Sequence, residues 1–398
     1  METFPAISEN TILWHIEQLV RDGHDVELLP ANQGDRRRMQ PEVEELGLLE
    51  RVHETPTLPR DAAGIVAMGL RALVQHPGAM VRLVGRVGGV ANTGWPQAVQ
   101  YMAGAPGIKR FDVMQGYFGP PARRAELLRW LGLVEGPLVA TFLGFDVNVL
   151  GARLGGEYYK HLFERAERLT VSSRFMRGKL LALGAPEERL RLLPMGLPIR
   201  KFEFVERGMP SDGVVGLITV ARLTEVKGVE FGLRAVALAV ERGLKLKWDV
   251  VGDGPLKGEL EALSRTLGLE GVVTFHGSQP MGRVRELLGR AQLCLFPGVR
   301  AADGAEEALG GAPIEAHAAG LPVLTTDAGG IGEGIVAGET GLIVPQRDAQ
   351  ALCDGLEELV RQAARWGEMG RKGRAHVVEH FDCERLHPRW MALYRELG

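Results

Sequence analysis

The chain is expected to be an α/β protein built from two doubly wound domains of parallel strands, and three observations predict this. Its 398 residues correspond to two or three domains at roughly 150 residues each. Glycine occupies 53 positions and proline 22, punctuation suited to many strands and helices joined by tight turns. In the second half, β-branched apolar runs alternate with amphipathic helical stretches of the length that right-handed βαβ units need.

Taken in order, the first half opens on a helix over Asn10–Arg21 and an apolar run at 26–29 that follows Gly23-His24-Asp25. Strands follow at 111–115, Leu138–Phe142 and 168–172, the last feeding a helix at 174–183. Pro194, Pro198 and Pro210, with little periodicity between them, mark a linker around 200–212. The second half reads strand 214–220, helix 231–242, strand Leu246–Val251, helix 256–267, strand 272–275 and helix Met281–Arg290. Strand Leu293–Phe296, helix 313–319, strand 322–325, strand Gly341–Val344 and helix Ala349–Arg361 continue the alternation. Two domains, 1–205 and 206–380, facing each other across a cleft are the simplest arrangement. A doubly wound domain normally opens with an apolar strand, yet only Met1-Glu2-Thr3 precede Phe4-Pro5, so the first strand is missing or begins elsewhere.

Composition excludes several classes. Lys and Arg number 47 against 50 Asp and Glu, so bulk charge makes no case for nucleic-acid binding. Cys294, Cys353 and Cys383 are widely spaced and odd in number, which suggests neither a disulfide framework nor a cysteine zinc site and fits a reducing cytoplasm. No signal-peptide pattern and no spanning apolar stretch is visible. The chain contains no Asp-x-Asp pair and no His/Asp/Glu cluster at metal-ligand spacing, so no metal is expected. P-loop spacing and the G-x-S-x-G elbow are also absent.

Four segments could carry chemistry. Ala221-Arg222-Leu223-Thr224-Glu225-Val226-Lys227-Gly228 lies between a strand and a helix, where two cations beside a helix N-terminus suit a diphosphate; solvated loop charges are the plain alternative. Val251-Gly252-Asp253-Gly254-Pro255 is similar to a dinucleotide fingerprint, but Lys257 stands where a third glycine would be needed. A tight strand-to-helix turn accounts for Gly252 and Gly254, with closeness to a ligand secondary. Glu307-Ala308-Leu309-Gly310-Gly311-Ala312-Pro313-Ile314-Glu315 places one carboxylate in a glycine-rich loop and another on a helix, where it could accept from a ribose diol or simply complement the helix dipole. Asp327-Ala328-Gly329-Gly330-Ile331-Gly332-Glu333 supplies a further glycine turn at the same sheet edge.

Together with Phe275-His276-Gly277 and Ala318-Ala319-Gly320-Leu321-Pro322-Val323, these segments resemble, in order and spacing, the nucleotide-sugar glycosyltransferases of the two-Rossmann GT-B fold, specifically glycosyltransferase family 4. The N-terminal half is similar to the exopolysaccharide, colanic-acid-type branch through Phe4-Pro5-Ala6-Ile7-Ser8-Glu9, Asp22-Gly23-His24-Asp25-Val26 and Thr141-Phe142-Leu143-Gly144-Phe145-Asp146. The resemblance implies metal-independent transfer of a hexose, with retention, from a nucleoside diphosphate sugar to a glycan or lipid-linked oligosaccharide, without a cofactor. Arg222 and Lys227 would take the diphosphate, and Glu307 would lie by the donor sugar. Glu315 would hold the ribose, with Gly310 and Gly311 beside it. His276, Gly277 and Ser278 would border the base, near Gly252 and Gly254. Ser8, Glu9 and Asp146 would lie on the acceptor side. The helix within 381–398 would return to the first domain, with Trp390 and Tyr394 as packing residues.

Departures from the family pattern fall in the acceptor half. Leu143 stands where His is common, Gln115 and Tyr117 where the branch often has His and Gln, and Pro198 where Asp often follows the glycine. The rival reading is a degenerate GT-B protein that binds nucleotide sugar or a partner without turnover. Residues 62–87 combine apolar helical stretches with Arg71, Arg82 and Arg86, the composition of an interfacial segment, although two helices packed on the first domain would look the same. A cytoplasmic protein, peripheral at the inner face of the membrane, is the expected setting.

Overall fold

The computed structural model describes residues 1–5, 10–37, 39–84, 95–105 and 109–398. By contacts the chain forms two units, one of 1–172, 176–195 and 387–398, the other of 173–175 and 196–386. The second unit begins at Gly196, ahead of the 205/206 boundary read from the prolines. The reason is that the proline-containing segment is bound to it. Val205 N donates to Ala319 O at 3.2 Å, and buried Arg207 donates to the carbonyls of Gly289 at 2.6 Å, Leu288 at 3.1 Å and Ala319 at 3.0 Å.

In the first unit, β1 (Thr3–Phe4) pairs in parallel with β2 (Asn32–Gln33), and β3 (Lys109–Arg110) with β5 (Val134–Glu135). A parallel sheet joins β4 (Met114–Tyr117), β6 (Leu138–Phe142), β7 (Arg168–Val171) and β8 (Leu190–Leu192) in the order β4-β6-β7-β8. Every residue of β6 is buried, as expected where helices cover both faces of a parallel sheet. The strand expected at 111–115 is shifted to Met114–Tyr117, because Met114 is the first residue in register with Leu138. The run 26–29 forms a single parallel bridge, Leu28 to Val52.

The second unit holds β9 (Val215–Val220), β10 (Leu246–Val251), β11 (Val273–Gly277), β12 (Leu293–Phe296), β13 (Val323–Thr326) and β14 (Gly341–Val344), all parallel. Their order is β11-β10-β9-β12-β13-β14, the doubly wound pattern that reverses direction between its first and fourth strands. Trp248, Leu233, Val236, Leu295, Leu356 and Trp366 are fully buried in its core. The Trp248 indole N–H is satisfied by Thr219 Oγ1 at 3.0 Å, so this large side chain is buried without an orphaned donor.

The C-terminal helix, Cys383–Arg395, contributes its residues from His387 onward to the first unit. Trp390 is buried there and donates to Pro194 O at 3.0 Å, while the Tyr394 hydroxyl reaches Gln115 Oε1 at 3.0 Å. Both act as packing residues with satisfied polar tips.

Candidate functional site

Ligands of doubly wound sheets bind at the carboxyl ends of the strands where the order reverses, here between β9 and β12. The loop leaving β9 carries Arg222 and Lys227, and the loop leaving β12 carries Glu307. Lys227 Nζ donates to Glu307 Oε1 at 2.5 Å, with both side chains four-fifths covered, and it lies 5.4 Å from the Phe296 ring centroid. Arg222 is exposed, and among the described residues its guanidinium has no hydrogen-bond or ion-pair partner. One cation is therefore already balanced by a carboxylate, and the other stands open to an anion.

Backbone approaches hold these loops. Gly330 N donates to Glu307 O at 2.8 Å, and a Cβ at 330 would overlap the Ala308 carbonyl. Gly252, at φ +135°, likewise leaves no room for a Cβ beside the Ala221 carbonyl. The loop after β10 thus lies directly on the loop after β9, tied by Ala221 N to Val251 O and Leu223 N to Asp253 O, both 2.9 Å. Gly254 belongs to that same contact. The Glu225 carboxylate, to which no role was given from sequence, accepts from Ala302 N at 3.1 Å and from Arg347 at 2.8 Å, clamping the loop after β9 to the chain after β12. Its place inside the Arg222 to Lys227 motif was the available signal.

At the end of β11, His276 Nε2 meets Asp249 Oδ1 at 2.6 Å, a partner that sequence spacing did not reveal. Gly252 N donates to Gly277 O at 2.9 Å, so the segment His276-Gly277-Ser278 is joined through backbone to the loop carrying Gly252 and Gly254. The helix Gly311–Ala318, preceded by Gly310 at its N-cap, carries Glu315 one turn in. Desolvation pushes the Glu315 carboxyl up to about 7, with Arg285 drawing it the other way. Among the described residues no side chain or backbone group hydrogen-bonds that carboxyl.

The acceptor-side residues lie in the first unit. Ser8 and Glu9 fall outside the described residues. Asp146 is fully buried and accepts from Gly119 N at 2.9 Å, Gly144 N at 2.8 Å and Leu143 N at 3.2 Å. Burial pushes its carboxyl up to about 6 against those N–H groups, which favour the charged form. Its geometry is that of a residue positioning the 143–146 turn and the start of helix Gly119–Trp130. Gln115 accepts from the Tyr394 hydroxyl, and Tyr117 and Tyr394 flank buried His15. Tyr117 Oη is 3.2 Å from its Nδ1 and Tyr394 Oη 3.4 Å from its Nε2, and burial lowers the imidazole to about 3.

The family model described as glycosyl transferases group 1 matches residues 207–376, which contain every switch-point residue above. The glycosyltransferase WcaL of Escherichia coli strain K12, named for colanic acid biosynthesis, is 30% identical over 363 residues, covering 89% of this chain and 87% of that protein. The chain belongs to the group 1 glycosyltransferases. A second member, the amylovoran biosynthesis glycosyltransferase AmsK of Erwinia amylovora, is 28% identical over 391 residues, covering 95% of this chain and 94% of its own length. Among solved structures, HepE of Anabaena in complex with UDP and glucose superposes with a TM-score of 0.71 at 17% identity, covering 100% of this chain and 98% of HepE. The fold of this group 1 glycosyltransferase is GT-B, with two Rossmann-like domains.

Proposed function

We propose that the protein transfers a hexose from a nucleoside diphosphate sugar to a glycan or lipid-linked glycan in exopolysaccharide synthesis, with retention and without a metal. The observation that carries this reading is the pairing of Lys227 with Glu307 beside open Arg222 at the point where the sheet order reverses. A diphosphate entering there meets Arg222 first and competes with Glu307 for Lys227. Glu307 is then released toward the donor sugar. As the C1–oxygen bond breaks, charge grows on the departing phosphate oxygen, and the two cations stabilise it more than they do the ground state. The acceptor hydroxyl oxygen bonds to C1 on the face the diphosphate leaves, and its proton goes to the departing phosphate.

The metal-independent part of the proposal rests on Arg222 and Lys227, two cations of the loop after β9 that would meet the diphosphate charge themselves. The exopolysaccharide assignment rests on WcaL and AmsK, whose names specify colanic acid and amylovoran.

No described helix is long and apolar enough to cross a membrane. A peripheral contact is supported by helices Ala62–Gln75 and Pro77–Val84, on which Val66, Leu70, Val74, Val81 and Val84 are more than half exposed. Arg71 and Arg82 are exposed on the same helices, and no Asp or Glu occurs between Ala62 and Phe111. Apolar side chains with cations and no acid suit an anionic bilayer surface. Arg86 lies outside the described residues.

The reading is tested by thermal shift against UDP, GDP, ADP and their sugars, with EDTA and then with Mg²⁺, followed by product analysis with and without acceptor. A donor at 100 times its Kd stabilises by about 2.7 kcal/mol. One base shifting the protein in EDTA, an effect lost in R222A, supports the donor site. Sugar transfer lost in E307A supports turnover, and nucleotide binding with no transfer by the wild type rejects it in favour of a binding protein. Flotation on anionic but not zwitterionic vesicles, abolished by V74D/V81D, tests the membrane contact.

A further inference from the structure

Among the described residues, Phe118 and Arg347 are the two that hold φ in the left-handed region without being glycine, Arg347 at +58°. Glycine takes that conformation freely, whereas a Cβ there crowds the backbone, so an arginine is a costly occupant. Arg347 lies in the turn between β14 and helix Ala349–Arg361, at the carboxyl ends of the strands of the second unit.

What the side chain gains is a connection among the other loops of that sheet edge. Its Nε and Nη2 donate to Arg300 O, at 3.2 and 2.5 Å, in the loop after β12. The same Nη2 donates to Glu225 Oε1 at 2.8 Å in the loop after β9, and the guanidinium carbon stands 5.7 Å from the ring centroid of Phe231 on the helix that follows that loop. Neighbouring Gln346 extends the tie: its Oε1 accepts from Arg300 N at 2.7 Å, and its N–H donates to Asp327 Oδ1 at 2.9 Å, just after β13. Glu225 in turn accepts from Ala302 N with both oxygens at 3.1 Å. It opens the short 3₁₀ turn Glu225–Lys227, so a shift of Glu225 carries Lys227 with it. Beyond Ala302 the same loop runs on to Glu307, the partner of Lys227. Stability does not account for these bonds. The side chains of Arg347 and Glu225 are nearly half exposed, an exposed ion pair contributes little to stability, and glycine at 347 would suit the backbone better. Holding two loops at a fixed spacing is what a planar guanidinium fork provides.

We propose that Arg347 is a positioning residue of the donor site, fixing Lys227 and Glu307 in place through Glu225. The inference rests on the reading of this sheet edge as a nucleotide-sugar site. The left-handed backbone and the clasp then have one account: strain accepted at a single residue keeps the loops that carry the site in register.

The test compares the full-length wild type with R347G, E225A and the double variant R347G/E225A. Glycine relieves the backbone and removes the clasp together, so a structural role and a positioning role diverge. R347G is expected to keep its calorimetric Tm within about 2 °C of the wild type or above it, while its affinity for nucleotide sugar falls by about tenfold or more and the Ala302 amide exchanges about tenfold faster. Titrations use UDP-glucose, GDP-mannose and ADP-glucose in EDTA. Because Arg347 acts through Glu225, the double variant should bind as weakly as E225A and no more weakly. A loss of Tm that accompanies the loss of affinity in R347G overturns the proposal in favour of a plain stabilising role, and additive losses in the double variant overturn the route through Glu225. Unchanged affinity in R347G, from a wild type that binds, overturns this inference alone, whereas a wild type that binds none of the three sugars overturns the donor-site reading with it.

Discussion

If Glu315 holds the donor ribose, as the family resemblance implies, donor binding should depend on pH in a way that can be worked out. Its carboxyl in the free protein is pushed up to about 7 from 4.5 by desolvation. A ribose diol that donates one hydrogen bond to each carboxylate oxygen requires the ionised form, so in this mode donor binding is expected to remove a proton wherever the free carboxyl holds one. The ionised fraction rises from about a tenth at pH ~6 to about nine-tenths at pH ~8, so affinity should increase about ninefold across that interval. A nucleoside diphosphate sugar is the ligand to use, because its phosphates carry no secondary ionisation in this range, unlike those of the free diphosphate. Isothermal titration in two buffers of different ionisation enthalpy would measure both the affinity and the proton released. In Glu315→Gln the slope should vanish and affinity at pH ~8 should fall by about tenfold, the worth of about one charge-assisted hydrogen bond. The unliganded protein carries the converse effect. A raised carboxyl contributes stability that is present below its unfolded value and lost as pH rises through 7, by up to about 3 kcal/mol. The difference in unfolding free energy between wild type and Glu315→Gln isolates it from the buried histidines, because their contribution is common to both. A wild-type affinity that is flat between pH ~6 and ~8, with no proton released, would refute the assignment of Glu315 to the ribose.

Three further outcomes follow from the site and its supports. Lys227→Ala leaves a largely covered Glu307 carboxylate unpaired and should cost about 1–3 kcal/mol of stability together with donor affinity, whereas Glu307→Gln should keep nucleotide binding and lose transfer; denaturant unfolding and donor titration separate the two. Gly330→Ala forces a Cβ into the Ala308 carbonyl and should displace the Glu307 loop, at about 1–3 kcal/mol, with a larger drop in kcat than in nucleotide affinity. Asp146→Ala abandons the N–H groups of Gly119, Leu143 and Gly144 inside the first unit and should cost about 2–4 kcal/mol; unchanged donor binding by the second unit, read by calorimetry, would show that the residue positions rather than contacts the nucleotide.

What was legible in the sequence follows from where each decision is made. β12 and β13 are buried throughout and β9 nearly so, and their apolar runs announce them, because a parallel strand covered on both faces cannot hide its composition. The site loops were legible for a related reason: strand ends, glycines and charges recur there at short spacing. The pairing of Lys227 with Glu307 was not, because 80 residues separate them and only the strand order, with β9 beside β12, brings them together. The raised carboxyl of Glu315 was equally hidden, since desolvation is a property of what surrounds a side chain. Arg207 shows the same limit in reverse. A charged residue in a proline-marked segment looks like part of a mobile linker, yet three carbonyls at the ends of two elements bind it to the second unit. The run 26–29 differs from all of these. Its composition suits a buried strand, and a strand is defined by its neighbours, so with Val52 on one side and a cavity on the other it makes one bridge and stops.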